Sequence, residues 1–187
     1  MNFPVPGAGD LAERAVELAA GYAGAHVREE GGNNRGDQVE FFQRLMAGAP
    51  GDPWCADFVS TCLVKAYAQL TQQPESREDL FHYLTTVRSR YLNLSGYCPT
   101  MWQDARRRAM SRPSAFIALP GDLVLYDFLS LGQPHHVGFV ARCNTDGTLR
   151  TIEGNTSSGV SGSQADGDGV FVRSRTRAHV LGFIHFG

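Results

Sequence analysis

Hydrophobic positions keep a helical period along the first 110 or so residues and a strand period from Pro120 onward. Asp10 is placed to cap a first helix whose inward face is Leu11, Ala15, Leu18, Ala19 and Tyr22. Asp37 is placed to cap a second, with Val39, Phe42 and Leu45/Met46 inward. Gly48, Gly51 and Pro53 mark a loop, after which Phe58, Val59, Cys62, Leu63, Ala66, Tyr67 and Leu70 recur as one buried stripe of a third helix. Pro74 ends it. Glu78 to Arg90 predicts a fourth helix on Leu80, Leu84 and Val87, Tyr91 to Pro99 a loop, and Thr100 to Met110 a short basic helix. The composition changes at Pro113.

Beyond that boundary the runs are short. Gly121 to Tyr126 follows a Pro-Gly turn, and His136 to Arg142 and Leu149 to Ile152 flank Asn144-Thr145-Asp146-Gly147, a hairpin signal. Gly169 to Arg173 and Val180 to His185 add two strands. Helices first and an antiparallel sheet after predict an α+β fold. A chain of 187 residues fits one domain, 1–187, with residues 1–50 as a helical segment leading into the third helix.

Composition removes some functions. The net charge of −2 gives no global pull toward nucleic acid, and the clusters at Arg106, Arg107, Arg108 and Arg112 and at Arg173, Arg175 and Arg177 are expected on solvated faces. No stretch approaches a membrane span, and Met1 to Gly7 lacks the basic and apolar regions of a Sec signal peptide. Cys55, Cys62, Cys98 and Cys143 lack zinc-knuckle spacing and are expected to stay thiols in a reducing cytoplasm. Asp166-Gly167-Asp168-Gly169 lacks the later ligands of a calcium loop and is read as a tight turn, so neither metal nor cofactor is expected.

Candidate chemistry centres on Cys55. At a helix start its sulfur lies near unsatisfied N–H groups and the positive end of the dipole, both of which favour thiolate. A small buried cysteine is the plain alternative. The hairpin argues against it. With a four-residue loop, Cys143 pairs with Thr148, His136 falls opposite Asn155, and Glu153 falls opposite Gly138. Side chains alternate with period two, so His136, Glu153 and Asn155 share one face, and only an odd loop would split them. His136 is then a general base with a carboxylate or amide beside it, and His135, on the opposite face, is the rival.

These residues resemble the CHAP domains, papain-like cysteine, histidine-dependent amidohydrolases/peptidases related to the NlpC/P60 proteins. The resemblance lies in Pro53-Trp54-Cys55-Ala56-Asp57-Phe58-Val59, Pro120-Gly121-Asp122-Leu123-Val124, His136 to Val140 and Ile152-Glu153-Gly154-Asn155-Thr156. Glu30 to Gly36 looks like the segment preceding the cysteine in such proteins, and Gly167 to Val170 with Arg173 and Arg175 like the closing strands. It implies N-terminal helices packed on an antiparallel sheet or half-barrel, and hydrolysis of a peptidoglycan amide. In that reading Cys55 attacks, His136 shuttles the proton, Glu153 orients it and Asn155 supports the polar end of the site. Trp54, where many relatives carry Gln, together with Asp57 and Trp102, would contact substrate.

The same resemblance suits a monomer made in the cytoplasm and acting at the wall, as an endolysin or as a delivered effector with an immunity protein. An acyltransferase or deamidase acting on protein or lipid, and a non-catalytic wall-binding domain, are the other classes open to these residues.

Overall fold

A computed structural model describes residues 5–159, 163 and 166–187; Met1 to Pro4, part of the stretch read above for a signal peptide, lie outside the described residues. Five helices precede the main sheet: α1 (Ala8–Gly24), α2 (Asp37–Leu45), α3 (Cys55–Leu70), α4 (Arg77–Arg90) and α5 (Cys98–Arg107). The strands are β1 (Ser111–Pro113), β2 (Leu123–Tyr126), β3 (His136–Cys143), β4 (Leu149–Thr156), β5 (Gly169–Arg175) and β6 (Val180–Ile184). All pair antiparallel in the order β1-β6-β2-β3-β4-β5, which gives the α+β class read from the sequence.

Helix starts differ from the sequence reading in instructive ways. Gly7, not Asp10, occupies the cap of α1, and Asp10 sits in the first turn, where its charge meets the positive end of the helix. Gly36 caps α2 at φ 114°, so Asp37 is already helical. In α4 the Ser76 hydroxyl accepts from the Asp79 N–H. Helix α5 begins two residues earlier than expected, at Cys98, with Pro99 in its first turn, where a missing N–H costs nothing. Strand β1 is a three-residue edge strand ending in Pro, too short to show an alternation.

Helix α3 is the centre of the molecule. It packs against α1, α2, α4 and the strands β3 and β4, and every residue from Trp54 to Val64 is buried. A single apolar stripe was too narrow a reading for the first part of the helix, which is buried on every side as far as Val64. Leu123, Leu125, Val137, Phe139 and Ile152 face this helical core, while Val124, Tyr126, Val140 and Leu149 join a second cluster with Phe183 on the other side of the sheet. Gly154 lets the start of α3 lie against β4, because a Cβ there would come within 2.7 Å of Trp54 and 2.8 Å of Phe58.

The hairpin between β3 and β4 departs from the expected one twice. Cys143 pairs with Leu149, so the loop holds an odd number of residues, and alone that would have split His136 from Glu153. The register shifts again between Val140 and Arg142, where Ala141 forms a bulge. Past the bulge Phe139 pairs with Ile152, which restores the register that places His136 and Glu153 together.

Candidate active site

Cys55 is the first residue of α3, at the open end of the helix, and its sulfur meets three groups. The Cys98 Sγ lies 3.8 Å away. His136 hydrogen-bonds the thiol, and so does the backbone N–H of Val137. Together these hold the Cys55 pKa well below its ordinary value: the hydrogen bond from Cys98 contributes most, burial opposes it, and His136 follows.

His136 is fully buried at the start of β3. Its Nε2 lies 3.0 Å from Glu153 Oε2, and among the described residues its Nδ1 has no nitrogen or oxygen partner, which leaves that atom for the thiol. Burial would lower the imidazole pKa, but Cys55 and then Glu153 outweigh it and raise the value to about 9. A thiolate–imidazolium pair is the state these shifts favour at neutral pH.

Glu153 is also fully buried, and it anchors a network. Oε1 accepts from the Thr151 hydroxyl at 2.6 Å and Arg175 Nε at 2.9 Å, and lies 3.4 Å from the Tyr126 hydroxyl; Oε2 accepts from Arg175 Nη2 as well as meeting His136. Burial alone would raise its pKa, yet Arg175 and His136 hold it down at about 2. Gly138 gives this carboxylate its room, since a Cβ there would stand 2.5 Å from Glu153 Cγ.

Arg173 and Arg175 therefore do not belong to a solvated face, because both are buried. The available signal was alternation: Arg173 and Arg175 fall on one side of the strand leaving Gly169, beside the strand that carries Glu153.

Asn155 is not beside His136. It sits in an irregularity of β4 between Glu153 and Thr156, at φ 55°, which takes it off the face of Glu153. With the amide oriented by its neighbours, the oxygen accepts from the Trp54 N–H at 3.0 Å, and the nitrogen donates to Gly167 O at 2.8 Å and Asn34 Oδ1 at 3.2 Å. It thus fixes the backbone immediately before Cys55 and ties three loops together. The Asp166 to Gly169 turn is part of this knot, with Asn34 donating to Asp166 and the Glu29 N–H to Asp168 O.

A cleft of about 550 Å³ opens over Cys55. Asp57, Cys98, Tyr97, Pro53, Pro134 and His135 are among its walls. Asp57 is nearly inaccessible, its Oδ1 has no partner among the described residues, and burial, then the charges of Cys55 and Asp52, raise its pKa to about 8. It is thus a largely protonated donor at neutral pH. His135 lines the cleft too, but its Nδ1 lies 3.3 Å from Asp127.

Neither tryptophan read as a substrate contact lines this cleft. Trp54 is fully buried, stacked on Phe42 with centroids 5.8 Å apart, and its Nε1 donates to Glu29 at 2.9 Å. Trp102 packs over Gly182 of β6, where a Cβ would meet its ring at 2.7 Å. Trp54 thus braces the start of α3 instead of walling the groove.

A helix-borne cysteine, a histidine on the adjoining strand and a carboxylate behind it have a counterpart among known sequences. The family model for the CHAP domain matches residues 47–155. This chain belongs to the CHAP domain family. The matched stretch carries Cys55, His136 and Glu153, and the family is generally one of cysteine, histidine-dependent amidohydrolases or peptidases. Arg175, which neutralises the buried carboxylate, lies outside it. No curated protein and no solved structure matches the chain.

Proposed function

We propose that this CHAP domain cleaves an amide bond of peptidoglycan with Cys55 as nucleophile. The observation that carries the reading is the chain of contacts from the Cys55 thiol, which lines the cleft, through the buried His136 to Glu153.

In this mechanism the Cys55 thiolate attacks the amide carbonyl. The new oxyanion is stabilised by the Cys55 N–H and the positive end of α3, with the protonated Asp57 as a second donor in the cleft. The His136 imidazolium gives its Nδ1 proton to the departing amine, leaving an acyl-enzyme on Cys55. Neutral His136 then takes a proton from water, hydroxide attacks the thioester, and the thiolate leaves as the acid product forms. Glu153 keeps the ring oriented and stabilises its positive charge, while Arg175, Thr151 and Tyr126 keep Glu153 ionised. Asn155 acts through the backbone of Trp54 and does not touch substrate.

The substrate lies outside the cytoplasm, so the enzyme acts at the wall after release or delivery. The test is digestion of purified sacculi followed by mass analysis of the products. Free stem peptides identify an amidase, and new peptide termini with intact lactyl linkages identify an endopeptidase. C55A should release neither. Expression in a Gram-negative host should cause lysis with a periplasmic signal attached and none without it. Intact sacculi, combined with toxicity of the cytoplasmic chain, would overturn the reading in favour of a protein- or lipid-modifying acyl transfer enzyme.

A further inference from the structure

The catalytic reading gives Cys98 no chemical step of its own, only a hydrogen bond to Cys55. It is buried to the same degree as Cys55, with 4% of its surface exposed, and it too is the first residue of a helix. Two helix starts from different parts of the chain converge so that two thiols meet in the wall of one cleft. Their sulfurs are 3.8 Å apart, and bringing them to the disulfide length of about 2.05 Å needs each to move by about 0.9 Å. Cys62 is enclosed in α3, where burial pushes its thiol pKa up, and Cys143 lies at the far end of β3.

We infer that Cys98 is a resolving thiol, and that Cys55 and Cys98 form a reversible intramolecular disulfide when a hydroperoxide enters the cleft. The asymmetry of the pair assigns the order of events. His136 and the Val137 N–H meet the Cys55 sulfur and favour its thiolate, while the contact with Cys55, then burial, pushes the Cys98 thiol pKa up. The Cys55 thiolate attacks the outer peroxide oxygen and the O–O bond breaks; the sulfur becomes a sulfenic acid, and the leaving alkoxide or hydroxide takes the proton of the His136 imidazolium to depart as an alcohol or water. The Cys98 sulfur then attacks the Cys55 sulfur. The S–S bond forms as the S–O bond breaks, and the departing hydroxide leaves as water with the Cys98 proton. Two thiols and one hydroperoxide give one disulfide, one alcohol and one water.

Two consequences follow for the enzyme. The disulfide occupies the nucleophile, so oxidised protein is inactive. It also intercepts the sulfenic acid before a second peroxide can carry it to the irreversible sulfinic acid. A thiol reductant then returns the nucleophile.

The test uses the whole chain, treated with hydrogen peroxide and then with dithiothreitol. Wild type should lose the mass of two hydrogens and yield a proteolytic peptide linking Cys55 to Cys98. It should also lose Cys55 alkylation by iodoacetamide and regain it with dithiothreitol. C98S and C98A, checked for folding by circular dichroism, should instead be carried to the sulfinic acid at Cys55 and stay blocked after the reductant. A linkage through Cys62 or Cys143, sulfinic acid at Cys55 of the wild type, or equal recovery by the Cys98 variants would overturn the inference. Alkylation and mass report on the thiols alone, so reduced protein that alkylates at Cys55 yet leaves sacculi intact would count against the peptidoglycan reading and not against this one.

Discussion

Replacing Arg175 by methionine isolates the most consequential group that lies outside the matched segment. Methionine keeps much of the length and apolar contact of the side chain, whose guanidinium sits 5.5 Å from the ring centroids of Tyr126 and Phe128. What it removes is the cation that keeps a fully buried carboxylate ionised. Glu153 is held at about 2 against an ordinary value of 4.5. Returning it to that value alone costs about 3 kcal/mol at neutral pH, at about 1.4 kcal/mol for each pH unit. Severed buried ion pairs fall in the same range, roughly 3–5 kcal/mol.

The pH dependence fixes the sign. A carboxyl whose folded pKa is depressed stabilises in full above its unfolded value and loses that contribution as pH falls through its folded value. The gap between wild type and R175M should therefore be widest above pH 4.5 and close toward pH 2. Urea unfolding followed by tryptophan fluorescence, at neutral pH and again near pH ~3, measures both numbers. A loss below about 1 kcal/mol, the size of a surface pair, or a loss independent of pH would refute the reasoning.

Two further outcomes follow from the same site. Hydrolysis rate against pH should hold a plateau through neutrality and fall as the pair loses its proton near 9, and E153Q should move that upper limb to lower pH, because the charge favouring imidazolium is gone; an unmoved limb would separate Glu153 from His136 electrostatically. N155G tolerates the φ of 55° but leaves the buried Trp54 N–H without its acceptor, so thermal and urea melts should show a loss of about 1–3 kcal/mol together with slower acylation, and wild-type values for both would remove Asn155 from the support of Cys55.

What could be read from the sequence depended on whether a signal was local and periodic. The helix bearing Cys55 declared itself by loop residues followed by a 3.6-residue stripe, and the strands by alternation and turn residues. The pairing of His136 with Glu153 came from counting across a hairpin whose true loop has the wrong parity. The bulge at Ala141 reversed the error, and no residue type announces such a bulge. Asn155 was placed by alternation, which fails where the backbone enters the left-handed region. Trp54 and Trp102 were placed against substrate as part of the family resemblance, whereas their burial against Phe42 and Gly182 is decided by tertiary packing. Cys98 was hidden by the boundary of α5: a Pro at the second position was taken as loop when it marks a helix start. Arg175 looked like surface charge until the sheet brought it to Glu153.

The dependence of Glu153 on Arg175 also sets when Cys55 gains the full set of neighbours that favour its thiolate. Cys55 leaves the ribosome 120 residues ahead of Arg175. At a synthesis rate of about 5–20 residues per second, that interval is on the order of ten seconds. Throughout it the thiol has no completed relay behind it, and the Trp54 backbone lacks Asn155 for most of that time. Helices α1 to α4 can pack early, because their contacts are local, but the reactive thiolate waits for β5. The order of the elements along the chain is thus a timer, and nascent protein carries an ordinary cysteine until its last strands dock.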